Sequence, residues 1–182
     1  FEPNLILSDL HPKYENQKII KNLWKSAESV GNNKIQHHKA HFASILGEKK
    51  LWKKDKVLGI IWDGIGFGTS TEIWGGEFFL FENQNMERVA QLENFAWILG
   101  DKMSKSPKIS ALSISDNNED LKFAFDENEW KIYTNLIEKS DIKTSSMGRF
   151  FDAVSFVLGY EKTIFFEGEP AMWLEKISQE KF

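Results

Sequence analysis

The sequence predicts an α/β fold, a mixed sheet with helices on its faces. The first observation is a strand–helix–strand alternation ahead of Asp63, the order that builds α/β sheets. The second is VLGIIWDGIGFGTSTEIWGGEFFLF over 57–81, two apolar runs flanking a glycine-rich segment. It reads as a strand, a tight turn and a returning strand. The third is FFDAVSFVL over 150–158, a helix apolar nearly all round, which asks to be buried.

The 182 residues make about one domain on the usual scale of roughly 100–200 residues. A hydrophobic share of 41%, a charged share of 27% and a net charge of −4 give no basic footprint for nucleic acid or an anionic membrane. Seven Trp and fifteen Phe imply large apolar surfaces, packed in a core or against neighbours. With no Cys, disulfides, thiolate metal sites and Cys nucleophiles are excluded. No apolar run approaches the roughly 20 residues of a membrane helix, and Phe1-Glu2-Pro3 does not open a signal peptide. A soluble cytoplasmic protein is expected. A start on Phe1 points to a processed chain or a piece of a longer one.

In order, Leu5-Ile6-Leu7 reads as a short buried strand that leaves through Ser8-Asp9-Leu10-His11-Pro12. Over 13–30, Ile19, Ile20, Leu23, Trp24 and Ala27 recur at helical spacing, and Gly31-Asn32-Asn33 stops that helix. Lys34-Ile35-Gln36 leads into a second helix ending at Gly47, on Ala40, Phe42, Ala43, Ile45 and Leu46. Residues 87–97 are mixed. Leu99-Gly100-Asp101-Lys102 is a turn, with Pro107 in the first turn of the following helix. A polar loop covers 116–120. Helices follow over 126–138, on Trp130, Tyr133, Leu136 and Ile137, then over 150–158, ended by Gly159, and over 171–177.

Three of the four histidines fall within QHHKAH. His37 and His41 stand four apart, one turn along one helix face, so both imidazoles can reach one metal ion. His38 is rotated away and is expected to be a supporting or surface group, and neither it nor His11 a ligand. Two imidazoles alone hold a divalent ion weakly. Asp63 is the best third ligand, because a helix start and a strand end share the carboxyl edge of a βαβ unit. His with carboxylate suits zinc or iron equally. Gly64, Gly66 and Gly68 then allow positive φ and a concave row of backbone N–H groups, an anion cradle with Thr69 beside it. A plain hairpin with a flexible glycine turn is the simpler alternative. Gly75-Gly76 is a second point of close approach. Arg149 and Asp152, three apart on a helix, are expected to be a structural or site-lining pair.

LILSDLHPKY, IQHHKAH, GIIWDGIGFGT, EIWGGEF, TSSMGRFFDAVS and FEGEPAMWLE, in this order and spacing, resemble signatures of the carboxy-terminal domain of hydrogenase-maturation carbamoyltransferases, the HypF family. The resemblance covers nearly the whole chain. It implies the actin-like ATPase (ASKHA) superfold, with 1–182 part of one carbamoyltransferase domain. It implies transfer of a carbamoyl group from carbamoyl adenylate, made from carbamoyl phosphate and ATP, to the C-terminal Cys of a partner protein in nickel–iron hydrogenase maturation. It also implies metal ligands at His37, His41 and Asp63, a phosphate-binding segment at Gly64, Gly66 and Gly68, and nucleotide contacts at Gly100, Asp101 and Lys102.

The family pattern departs at Ser70 and Thr71, at Leu99 and near Glu15-Asn16-Gln17. The resemblance places the family's first phosphate hairpin upstream of Phe1, and a serine-glycine-glycine loop and a fourth metal-binding Asp downstream of Phe182. The domain is then incomplete at both ends. Weak metal retention and self-association through exposed apolar surface are expected of it alone. O-carbamoyl transfer to a small-molecule hydroxyl, or a truncated binding module, are the alternative functions.

Overall fold

The computed structural model describes residues 5–11, 31–68, 72–115 and 118–179. The expected helix over 13–30, Thr69 and the departures near 15–17 and at Ser70 and Thr71 lie outside them. Strand β1 (Leu5–Asp9) pairs in parallel with β2 (Gly31–Ile35), and both point their carboxyl ends at one edge. Gly31 opens this second strand. Leu5 and Leu7 are exposed on β1, which corrects the expectation of a buried strand. From β2 the chain turns through Gln36 into helix α1 (His37–Glu48).

The main sheet starts with β3 (Lys56–Phe67) and β4 (Glu72–Glu82), an antiparallel pair. Strand β5 (Asn85–Gln91) pairs with β4 from Glu77 onward, and short β6 (Phe95–Ala96) and β7 (Lys143–Thr144) complete a mixed sheet. The stretch 87–97 thus contributes two strands. The glycine segment is not a tight turn. Gly64 and Gly66 lie within β3, across an irregularity in its register between Trp62 and Gly66. None of Gly64, Gly66 and Gly68 has a positive φ. They are small because other groups pass close by, as shown below.

Helices α2 (Pro107–Ile114), α3 (Glu127–Lys139), α4 (Met147–Val157) and α5 (Glu169–Gln179) follow. Asp126 caps α3, its carboxylate accepting from the Glu129 N–H at 2.8 Å. Gly159, at φ +104°, lets the chain leave α4. One core lies under α1, where Phe42 and Leu46 meet Trp74, Phe79 and Phe81. A second joins Trp97, Ile98, Met103, Ile109, Leu112, Phe125 and Tyr133. Helix α4 is not buried all round. Ala153 and Phe156 face α2, but Phe150 and Val157 stand in solvent.

Glu77 ties the sheet together. It is fully buried, and its carboxylate accepts from the Gly75 and Gly76 N–H groups at 3.0 and 3.3 Å, from Ser145 Oγ and from Arg88 Nε. The Arg88 guanidinium also lies 4.0 Å over the Trp74 ring. Removing one member of a buried pair leaves the other charge uncompensated. Glu77→Ala is expected to cost about 3–5 kcal/mol in urea unfolding. A loss below about 1 kcal/mol, the scale of an exposed ion pair, would contradict this assignment.

Candidate metal centre and adjoining cleft

The carboxyl edge of β1 and β2 brings Asp9 and the start of α1 together. Gln36 caps the helix, its side-chain oxygen accepting from the Lys39 N–H at 3.0 Å, and this fixes the first turn. His37 and His41 then project from one face toward β3. The two Nε2 atoms lie 3.1 Å apart, and Asp63 Oδ2 is 3.1 Å from His37 Nε2 and 3.8 Å from His41 Nε2. Asp63 is carried within β3, beside the register irregularity, and not at a strand tip.

These three atoms suit a metal ion. Ligands about 2.0–2.1 Å from a tetrahedral ion stand roughly 3.4 Å from one another, close to the observed spacings. Asp63 Oδ2 is buried and accepts no hydrogen bond, while Oδ1 takes the Gly64 N–H at 2.7 Å. The first oxygen is therefore left for the cluster. Asp9 supplies a support that sequence reasoning missed. Its Oδ2 is 3.1 Å from His37 Nδ1, so the ring proton sits there and the Nε2 lone pair faces Asp63 and His41. The signal was present in the D-L-H-P motif, as a carboxylate ending a strand at the same edge. His11 contributes an edge-on contact with Phe67.

His38 is fully buried, so it is not a surface group. Burial pushes its imidazole down to about 4, and Asp63 opposes this only in part. Gly66 makes the room: a Cβ there would stand 2.2 Å from His38 Cε1. Gly68 likewise passes the Glu72 carbonyl and the Trp74 indole, where a Cβ would come within 2.4 and 2.6 Å.

Gly64 belongs to a cleft. The start of α4 presses onto β3 and β4: a Cβ on Gly148 would lie 2.9 Å from Gly64 Cα, and one on Gly75 2.7 Å from Ser146 Cα. Ser146 caps α4, accepting from the Arg149 N–H at 3.1 Å, and donates to the Gly64 carbonyl. Two adjoining cavities of about 310 and 240 Å³ share Gly64, Arg149, Asp152, Glu167 and Gly168 as lining. Asp63 lines the second, so the residue that completes the His37–His41 cluster also borders the cleft. The 3₁₀ turn Gly100–Lys105 reaches the cleft through Ser104 and Lys105. Gly100, Asp101 and Lys102 do not line it, and the Lys102 ammonium donates to the Tyr133 hydroxyl.

A family model described as "Carbamoyltransferase, Kae1-like Domain, second subdomain" matches residues 59–181, and one described as "HypF Kae1-like domain" matches residues 1–48. The chain belongs to the HypF carbamoyltransferase family. The probable carbamoyltransferase HypF of Methanocaldococcus jannaschii is 36% identical over 95% of this chain and 24% of its own length. HypF of Synechocystis is 30% identical over 96% of the chain and 25% of its own length. Among solved structures, full-length HypF in a phosphate- and nucleotide-bound form is 34% identical at TM-score 0.79, over 96% of this chain and 23% of that one. T. kodakarensis HypF is 30% identical at TM-score 0.82, over 98% and 25%. The chain thus spans about a quarter of these relatives, and its fold is the Kae1-like, actin-like ATPase type. No helix among the described residues is long and apolar enough to cross a membrane.

Arg149 and Asp152 are both buried, and Nε donates to Oδ2 at 2.5 Å, which makes them a site-lining pair. Burial pushes the Asp152 carboxyl up to about 6, and Arg149 offsets only part of that. Because the folded value lies above the unfolded 3.8, the protonated form favours folding. The contribution is full below about pH 4 and is lost as the pH rises through 6. Relative to Asp152→Asn, the wild type is expected to lose up to about 3 kcal/mol between pH 4 and 7 in urea unfolding. A pH-independent difference would refute the assignment.

Proposed function

We propose that residues 1–182 form part of one HypF carbamoyltransferase domain. It acts in the cytoplasm on a carbamoyl adenylate made from carbamoyl phosphate and ATP. The acceptor is the C-terminal Cys thiol of a partner protein in nickel–iron hydrogenase maturation. The observation that carries this reading is the meeting of the His37, His41 and Asp63 cluster with the Gly64 cleft at a single residue, Asp63. The nucleotide-bound relative and the names of the curated relatives support it.

In this reading His37, His41 and Asp63 hold a divalent ion, zinc or iron. The ion supplies electrostatic stabilisation of the charge that develops during acyl transfer. Gly64 leaves space where the adenylate enters, and Arg149 places a fixed cation on the wall of that space. Gly66, Gly68, Thr69, Gly100, Asp101 and Lys102 contribute to the nucleotide site in the wider domain. The thiol sulfur bonds to the carbamoyl carbon as its bond to the adenylate oxygen breaks, AMP leaves, and the thiol proton passes to solvent. No residue of this chain need be the nucleophile. The exposed apolar row Leu58, Ile60 and Trp62 on β3 is the surface through which the isolated chain would self-associate.

The test is carbamoylation of a Cys-terminated acceptor peptide by the natural gene product containing this chain, with ATP and carbamoyl phosphate, read by mass spectrometry. A thiocarbamate on the terminal Cys is expected. Transfer to a small-molecule hydroxyl instead, or none, would overturn the reading. Elemental analysis should find that His37→Ala or His41→Ala removes most of the bound metal. Full retention in both would remove the metal assignment.

A further inference from the structure

Two buried polar atoms near the cluster face each other unpaired. His38 Nε2 and Asp63 Oδ2 are 3.7 Å apart, and neither has a hydrogen-bond partner. Such pairs of orphans are rare in folded proteins because each costs the desolvation of a polar group. One is an imidazole nitrogen and the other a carboxylate oxygen, so the pair is complementary if the imidazole proton sits on Nε2.

The neighbourhood assigns that proton. The Gln36 side-chain oxygen is committed to the Lys39 N–H at 3.0 Å, so its amide nitrogen faces His38 Nδ1, also at 3.0 Å. The same nitrogen donates to the Phe67 carbonyl at 3.1 Å. A ring nitrogen that accepts an amide N–H carries no proton of its own. In a neutral imidazole the proton is then on Nε2, the atom aimed at Asp63. An Nε2–H has no lone pair left for a metal ion.

We infer that His38 is a positioning residue: locked by Gln36, it donates from Nε2–H to Asp63 Oδ2 and turns that carboxylate toward His37 and His41. Oδ1 already accepts the Gly64 N–H, and once the 3.7 Å gap closes to a hydrogen-bond length of about 3 Å, His38 holds Oδ2 with one of its lone pairs left for the cluster. The glycine at 66 follows from the same requirement, because any side chain there would displace the imidazole. This inference deepens the metal-site reading and rests on it.

The test compares wild type, His38→Phe and His38→Gln. Phe keeps a buried ring without a donor, and Gln restores a donor near the Nε2 position. Zinc affinity is measured by competition with a chromophoric chelator. A fall of about 10–100-fold is expected in His38→Phe, the usual scale for losing a group that orients a ligand, with recovery of most of it in His38→Gln. X-ray absorption should count two imidazoles on zinc in the wild type and in both variants. Unchanged affinity in His38→Phe, or a third imidazole lost with His38, overturns the inference. Imidazole ¹⁵N NMR of the metal-free wild type gives an independent decision that needs no variant to fold. The Nε2–H tautomer of His38 is expected, and Nδ1–H overturns it. A wild type that binds no zinc would instead defeat the metal reading, and the tautomer would still decide whether His38 is set to donate to Asp63.

Discussion

The fold turns on a carboxylate placed where no water reaches it. Glu77 sits in the middle of β4, and its oxygens collect donors from its own strand, from Arg88 on β5 and from Ser145 just after β7. A buried charge of this kind is tolerable only when its acceptor sites are filled. Filling them fixes where three segments meet. Ser145 held by Glu77 places Ser146, Ser146 caps α4 and donates to the Gly64 carbonyl, and Gly64 is bonded to Asp63. The position of the Asp63 carboxylate therefore depends on a pair buried elsewhere in the sheet.

Small residues supply the other constraint. Helix α4 approaches the sheet so closely that a Cβ on Gly75 or Gly148 would meet backbone, Ser146 Cα in the first case and Gly64 Cα in the second. That contact is between main chains, and it lets one helix terminus line a cleft without a side chain in between. The sequence announces the glycines but not their partners. Spacing within D-G-x-G-x-G suggested a turn with positive φ, whereas Gly66 and Gly68 make room for the His38 ring and the Trp74 indole. Local glycine patterns record that something comes near. What comes near is a tertiary fact.

The clustering of His37, His41 and Asp63 was legible for the opposite reason. His37 and His41 lie one helical turn apart in a single element, so spacing alone brings them together. Asp63 followed from the carboxyl-edge argument, although its strand runs on past it. Asp9 and Gln36 were hidden, because their roles depend on hydrogen bonds across strands or into a buried ring. The helix expected over 126–138 from its apolar stripe lies one residue on, at Glu127–Lys139. The one expected over 171–177 after Gly168 and Pro170 extends two residues further at each end, over Glu169–Gln179. The burial of β1 and of the whole of α4 was misjudged. An apolar composition says that a surface wants cover, not that the described residues supply it.

Asp63 serves two environments at once, and this decides how the site can work. One oxygen faces imidazoles whose exposure rises from 28% at His37 to 52% at His41, so the cluster opens to solvent on the α1 side. The other oxygen holds the Gly64 N–H, and Gly64 lines both cavities of the cleft. A ligand in the cleft therefore lies along backbone that is covalently continuous with the Asp63 carboxylate. No flexible side chain intervenes, and little motion is available to separate the two. An Asp-Gly pair is suited to this arrangement, since the carboxylate carries the charge and the glycine leaves room on the adjacent wall, where Glu167 Oε1 would stand 3.1 Å from a Cβ.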